Sequence, residues 1–167
     1  MNRLALALIS TLGFAAASSA SCQWRYKDRK DPLTDRVERY AYVESLNTHQ
    51  FRFPYHGGSR ARLTMIPTDG PEPDLLFEVT RGQLVCPPSR CVIRLRFDDG
   101  DAADYGGVPP ADHRANAAFI TAELVFMLKV RQAKRLRIAA TFYQEGERVF
   151  EFRIPDLHWP EPAKQTE

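Results

Sequence analysis

Four aspartates, Asp98, Asp99, Asp101 and Asp104, crowd into one Gly-containing stretch, and carboxylates at that density are the hard oxygen donors calcium takes. The spacing does not fit the known calcium loop: Gly100 comes too early and no closing Glu follows at the required distance. A solvated turn is the plainer reading. Four histidines, His49, His56, His113 and His158, could donate imidazole to a metal or a proton relay, yet none stands at a ligand spacing from a second donor. The pair Asp112-His113 has the composition of an acid–base site and sits in a long Asp-, Gly- and Pro-rich stretch. Ser45, Ser59 and Ser89 lie at expected strand ends or turns, without the Gly-x-Ser-x-Gly elbow that exposes a nucleophile. No metal site, no catalytic residue and no cofactor is implied.

Cysteine chemistry is more specific. Cys86 and Cys91 have four residues between them, too far apart for the Cys-x-x-Cys redox pair and too few for a metal site. We expect a structural disulfide, contributing about 2 kcal/mol through the unfolded chain. It would also hold the tip Pro87-Pro88-Ser89-Arg90 in one shape. That expectation depends on an oxidising compartment, and the chain start supplies one. Arg3, an apolar run from Leu4 to Ala17, and small residues Ser18, Ser19, Ala20 and Ser21 form a signal peptide with its cut after Ala20. The apolar run is short for a membrane span. Cys22 leaves a second processing route open: it could be lipidated as the first residue of a lipoprotein. Ser19 stands where such signals carry a branched apolar residue, so the alternative is an ordinary cut leaving Cys22 free.

Removing residues 1–20 leaves about 147 of the 167, the size of one domain spanning 21–167. With Arg3 gone, 22 Lys and Arg face 21 Asp and Glu. That balance argues against nucleic acid as a partner, which would need a basic excess.

Whatever chemistry exists must be positioned by strands. Apolar and polar residues alternate in Arg60 to Ile66, Leu75 to Thr80 and from Cys91 to Phe97, and less cleanly in Val37 to Val43 and Thr48 to Phe53. Turn residues cluster at Pro54 to Gly58, Pro67 to Pro73, Gly82, Asp99-Gly100, Gly106 to Pro110 and Glu145-Gly146. Residues 98–114 are expected to be the longest connection, a length that implies function or mobility. Leu124, Met127, Leu128 and Arg131 repeat at helical spacing, which predicts one short helix over about 121–132, capped by Thr121. Residues 135–154 read as a hairpin. A loop at Glu145-Gly146-Glu147 would set Phe142 opposite Phe150, Ala140 opposite Phe152 and Ile138 opposite Ile154. The expected fold is mainly β: an antiparallel sandwich or curved sheet with the helix packed on it.

Two surfaces are candidates for binding. Arg94 and Arg96, with Arg60 and Arg62 and with Arg135 and Arg137, would build a basic stripe if their strands were neighbours. The plainer reading is outward charge alternating with Glu38, Glu78, Glu147 and Glu151. The turn Phe53-Pro54-Tyr55-His56-Gly57-Gly58 offers a rigid aromatic tip, although most aromatic residues belong in the core.

Taken together, Trp24-Arg25-Tyr26, Asp31-Pro32-Leu33-Thr34-Asp35, Ser45-Leu46-Asn47, Phe53-Pro54-Tyr55 with Gly57-Gly58, Gly82-Gln83 before Cys86, Cys91 leading to Phe97-Asp98-Asp99-Gly100, and Phe142-Tyr143-Gln144-Glu145-Gly146 leading to Val149-Phe150-Glu151-Phe152 resemble a family of small exported bacterial proteins, some of them lipidated, with no established activity. The resemblance implies export and fold but no mechanism. In layout only, the chain is also similar to the invasion-associated locus B proteins, which place a cysteine pair before a helix and closing hairpin. The expected function is a non-catalytic envelope protein of the periplasm, or secreted, that binds another protein or an envelope component; an inhibitor or immunity role is one version. The membrane enters only if Cys22 is lipidated. The alternative is a periplasmic enzyme or small-ligand-binding protein with its site near residues 98–114.

Overall fold

In the computed structural model, which describes residues 24–87 and 89–159, every cleanly alternating segment is a strand. The expected leader 1–20 and Cys22 lie outside the described residues. The strands are β1 (Arg25–Lys30), β2 (Val37–Glu44), β3 (Ala61–Ile66), β4 (Asp74–Val79), β5 (Val92–Phe97), β6 (Ala103–Val108), β7 (Ala117–Thr121), β8 (Arg135–Phe142) and β9 (Gly146–Arg153), with one helix, α1 (Glu123–Val130). They form a single antiparallel sheet, not closed, in the order β1-β2-β3-β4-β7-β6-β5-β8-β9. Of the two expected architectures, the curved sheet is the one present. The inward rows, including Leu63, Met65, Leu75, Phe77, Ile93, Leu95, Leu136, Ile138, Phe150 and Phe152, are almost wholly buried and fill the concave side.

The curl brings the two ends of the sheet together. Leu46, just past β2, donates its N–H to Glu151 O on β9 at 2.7 Å. Asn47 continues this with its side chain: Nδ2 donates to Val149 O at 2.8 Å and Oδ1 accepts from Glu151 N at 2.9 Å. One carboxamide thus satisfies a donor and an acceptor that an edge strand would leave bare. The opposite edge, β1, has no such cover among the described residues and is exposed along its whole length.

Several expectations are corrected. Residues 98–114 are not one connection, because β6 runs through them, paired to β5 and β7. Thr48 to Phe53 is not a strand; it makes one isolated bridge, His49 to Ser59. The helix is shorter than 121–132. Thr121 ends β7 instead of capping, and Ala122 occupies the N-cap without a side-chain bond. Its buried face is Phe126 and Val130, with Phe126 against Phe97 at 5.8 Å between ring centroids, while Leu124 and Leu128 are exposed. Two apolar repeats compete along this helix, and the aromatic one docks on the sheet. The last hairpin keeps its faces but not its register. Phe142 stands opposite Gly146 and Ile138 opposite Phe150, because the loop is Tyr143-Gln144-Glu145. Glu145 N bonds to Phe142 O, and Gln144 takes the left-handed conformation in addition to Gly146.

Candidate functional site

Antiparallel order sends the loops after β2, β4, β6 and β8 to one end of the sheet, and hydrogen bonds tie them into a single surface. The loop after β4 crosses this end: Leu84 N donates to Ala115 O, Val85 N to Thr141 O, and Gln83 O accepts from Tyr143 N. It can cross closely because residue 82 is glycine. With φ of +118° and a Cβ that would fall 2.5 Å from the Phe51 ring, any side chain at Gly82 would push the strap off Phe51 and Phe142. The Cys86–Cys91 disulfide closes the loop, as expected from the spacing.

The aromatic tip stands on the same surface. Phe53 is 83% exposed, follows Arg52 and precedes Pro54 through a cis peptide bond. Its ring stacks with His56, centroids 6.2 Å apart, and Arg81 Nη1 donates to Gly57 O at 2.7 Å, which fixes the base of the turn. Tyr55 is half-buried against the core. Sequence reasoning singled out this turn but not the other exposed apolar residues at this end of the sheet, Tyr143, Val85, Val92 and Val108. For Tyr143, Val92 and Val108 the signal was an apolar residue at the boundary of a strand, which alternation counts as one more strand position.

Glu145 clamps the tip to the hairpin. Its Oε1 accepts from Arg52 N at 2.7 Å and its Oε2 from Arg148 Nη2 at 3.0 Å, in a carboxylate side chain only 8% exposed. The backbone hydrogen bond from Arg52, then the Arg148 guanidinium, hold its pKa below the ordinary glutamate range. A carboxylate whose folded pKa is lowered adds stability above its unfolded value and loses it as pH falls through the folded one. We therefore expect acid, as pH falls below the ordinary glutamate value of about 4.3, to loosen the Phe53 turn before the core. Glu145→Gln should flatten this acid limb in a pH series of thermal unfolding; an unchanged limb would show that the clamp carries no pH dependence.

Asp112 and His113 lie on the β6–β7 connection, and His113 lines a groove of about 480 Å³ between that connection and Leu84 and Cys86, whereas Asp112 does not. They do not form a pair. Asp112 Oδ1 accepts from Arg114 N at 3.2 Å and its Oδ2 lies 3.5 Å from Arg114 Nε, and no Asp or Ser lines the groove with His113. Ser45 and Ser59 are fully buried and spent on structure: Ser45 Oγ donates to Asn47 O and accepts from Ala61 N, and Ser59 Oγ donates to Arg81 O.

The arginines form two separate groups on the outer face of the sheet. Arg60 and Arg62 are at β3, which β4, β7 and β6 separate from Arg94 and Arg96 on β5. Arg62 reaches Glu44 at 2.8 Å and Glu78 at 3.7 Å, and Arg60 Nη2 donates to Ser45 O. The Arg62 hydrogen bond lowers the Glu44 pKa. In the other group Arg94 pairs with Asp104 at 2.6 Å and Glu147 at 3.4 Å, and holds the Asp104 carboxyl below its usual range. Arg96 stands opposite Arg137 and gives its Nε to Gly100 O, Arg137 pairs with Glu151, and Arg135 with Asp99. The aspartate cluster is likewise dispersed. Asp98 Oδ1 accepts from the backbone N–H groups of Lys134 and Arg135, while Asp99 and Asp104 turn to different arginines. Among the described residues no group of three or more His, Cys, Asp or Glu side chains could hold a metal ion, and no helix is long and apolar enough to cross a membrane.

Comparison of the chain with protein-family models, with curated proteins and with solved structures finds no match.

Proposed function

We propose that this chain is an exported envelope protein whose loop-bearing end binds another protein. The observation that carries this reading is Phe53: a large aromatic ring, 83% exposed, on a turn braced by His56, Arg81 and Glu145. Burying such a ring in a partner loses little conformational freedom, since the turn is already ordered. Tyr143, Val85, Val92 and Val108 are further exposed apolar side chains at the same end of the sheet. Export is supported by the leader-like first twenty residues and by the cystine, a bond that persists in oxidising compartments. The competing reading, an enzyme or small-ligand site around residues 98–114, has less behind it, because Asp112 engages Arg114 and leaves His113 without a carboxylate or hydroxyl partner in the groove.

The test is capture of partners from an envelope extract by the wild type and by Phe53→Ala, Tyr143→Ala and the pair Arg94→Ala/Arg96→Ala, followed by measurement of Kd for the captured protein. Phe53→Ala is expected to weaken binding about ten-fold, the loss typical of a central aromatic contact, and the arginine pair to leave it unchanged. Equal affinity in wild type and Phe53→Ala/Tyr143→Ala would remove this reading.

A further inference from the structure

The two edges of the sheet are treated differently. On β9 the outward backbone groups meet Leu46 and the Asn47 carboxamide, whereas β1 is an outermost strand with all six residues exposed. Alternate residues of an antiparallel edge strand direct N–H and C=O away from their neighbour, so β1 presents a ready row of donors and acceptors.

Its side chains restrict what can use that row. Arg25, Lys27 and Arg29 share one face, opposite Tyr42, Tyr40 and Glu38 of β2. The other charges of this hairpin are matched in pairs: Arg39 with Asp28, Lys30 with Asp35 and Arg36 with Asp69. Among the described residues no carboxylate comes within ion-pair distance of Arg25 or Lys27; Arg25 meets only the longer-range field of Glu44, and Arg29 the Tyr40 hydroxyl and the longer-range field of Asp31. Three cations therefore project from one side of a bare edge. A second copy of the chain is a poor occupant. A two-fold axis perpendicular to the sheet pairs residues of the same face, so centring on Lys27 sets Lys27 against Lys27 and Arg25 against Arg29, and moving the centre by one residue sets Lys27 against Arg29 or Arg25. Directly opposed like charges oppose pairing.

We infer that the outer edge of β1 is a strand-addition site for an extended partner segment carrying acidic residues at alternate positions, which stand opposite Arg25, Lys27 and Arg29. Backbone hydrogen bonds supply the register and the alternating carboxylates supply the selectivity. This site lies apart from the Phe53 surface, and neither depends on the other.

The probe is a synthetic eight-residue peptide of alternating Thr and Glu, compared with its Thr/Lys counterpart and with the Thr/Glu peptide N-methylated throughout. The Thr/Glu peptide is expected to slow hydrogen exchange of the outward Tyr26, Asp28 and Lys30 amides and to bind about ten-fold tighter than the Thr/Lys peptide, from three cross-strand charge pairs. The N-methylated peptide, with its charges intact and its donors gone, should lose binding. Arg25→Glu/Lys27→Glu, which leaves Arg29 opposite Glu38, should reverse the preference. Equal binding of the N-methylated peptide, a preference that survives charge reversal, or no binding of the Thr/Glu peptide would each overturn the inference; the last would make the cations a guard against pairing.

Discussion

Phe150→Ala is expected to cost about 3–5 kcal/mol of folding stability, the range for truncating a fully enclosed aromatic side chain. Phe150 has no exposed surface, and its ring lies 5.9 Å from Phe77 on β4, 5.9 Å from Phe142 on β8 and 4.8 Å from His49 in the β2–β3 loop. It joins the middle of the sheet to its last hairpin and to the segment that covers the β9 edge. The cavity left by Ala is bounded by three different elements and cannot close by moving one of them. Urea denaturation should show a lower midpoint with little change in slope, and Phe150→Leu should retain most of the lost stability. A cost below about 1 kcal/mol for Phe150→Ala, well under the range for an enclosed ring, would mean that the ring is not the junction described.

This residue also shows what the sequence could and could not reveal. Alternation needs only one buried face, so Arg62 between Leu63 and Ala61, or Arg94 between Ile93 and Leu95, declares a strand by itself. The same pattern put Phe150 on the inner face. It could not choose between Phe142 and Ile138 as its partner, because both registers keep apolar residues together; the Tyr143-Gln144-Glu145 turn makes that choice. Strand β1 is silent for the opposite reason: with every side chain exposed it has no period to detect. In β7, Ala117 and Ala118 are buried on both faces, which erases the alternation. The candidate site was half legible. A run of Phe, Pro and two glycines marks an ordered turn, whereas Tyr143, Val85 and Glu145 join it only through contacts between loops far apart in the chain.

The remaining large effect is expected at Gly107, where punctuation proved to be packing. Gly106 to Pro110 reads as a turn, yet Gly106, Gly107 and Val108 continue β6 opposite Thr121, Ile120 and Phe119. Gly107 is buried, and a Cβ there would overlap Cys91 Sγ and lie 3.2 Å from Cys91 Cβ and 3.3 Å from Ile93 Cδ1. A free cysteine could rotate away, but a cystine cannot, since Cys86 holds the sulfur in place. Gly107→Ala should therefore cost about 2–3 kcal/mol, toward the upper end for an overpacked core, although alanine suits a strand no worse than glycine does. The same substitution in a Cys86→Ala/Cys91→Ala background should cost clearly less, because the sulfur is gone and only the Cβ of residue 91, 3.2 Å away, remains. A double-mutant cycle by chemical denaturation measures this difference. Additive costs would mean that the disulfide is not what requires glycine at 107. A coupling above about 1 kcal/mol, beyond the few tenths seen between independent sites, would tie the strand that splits the 98–114 stretch directly to the cystine at the loop-bearing end of the sheet.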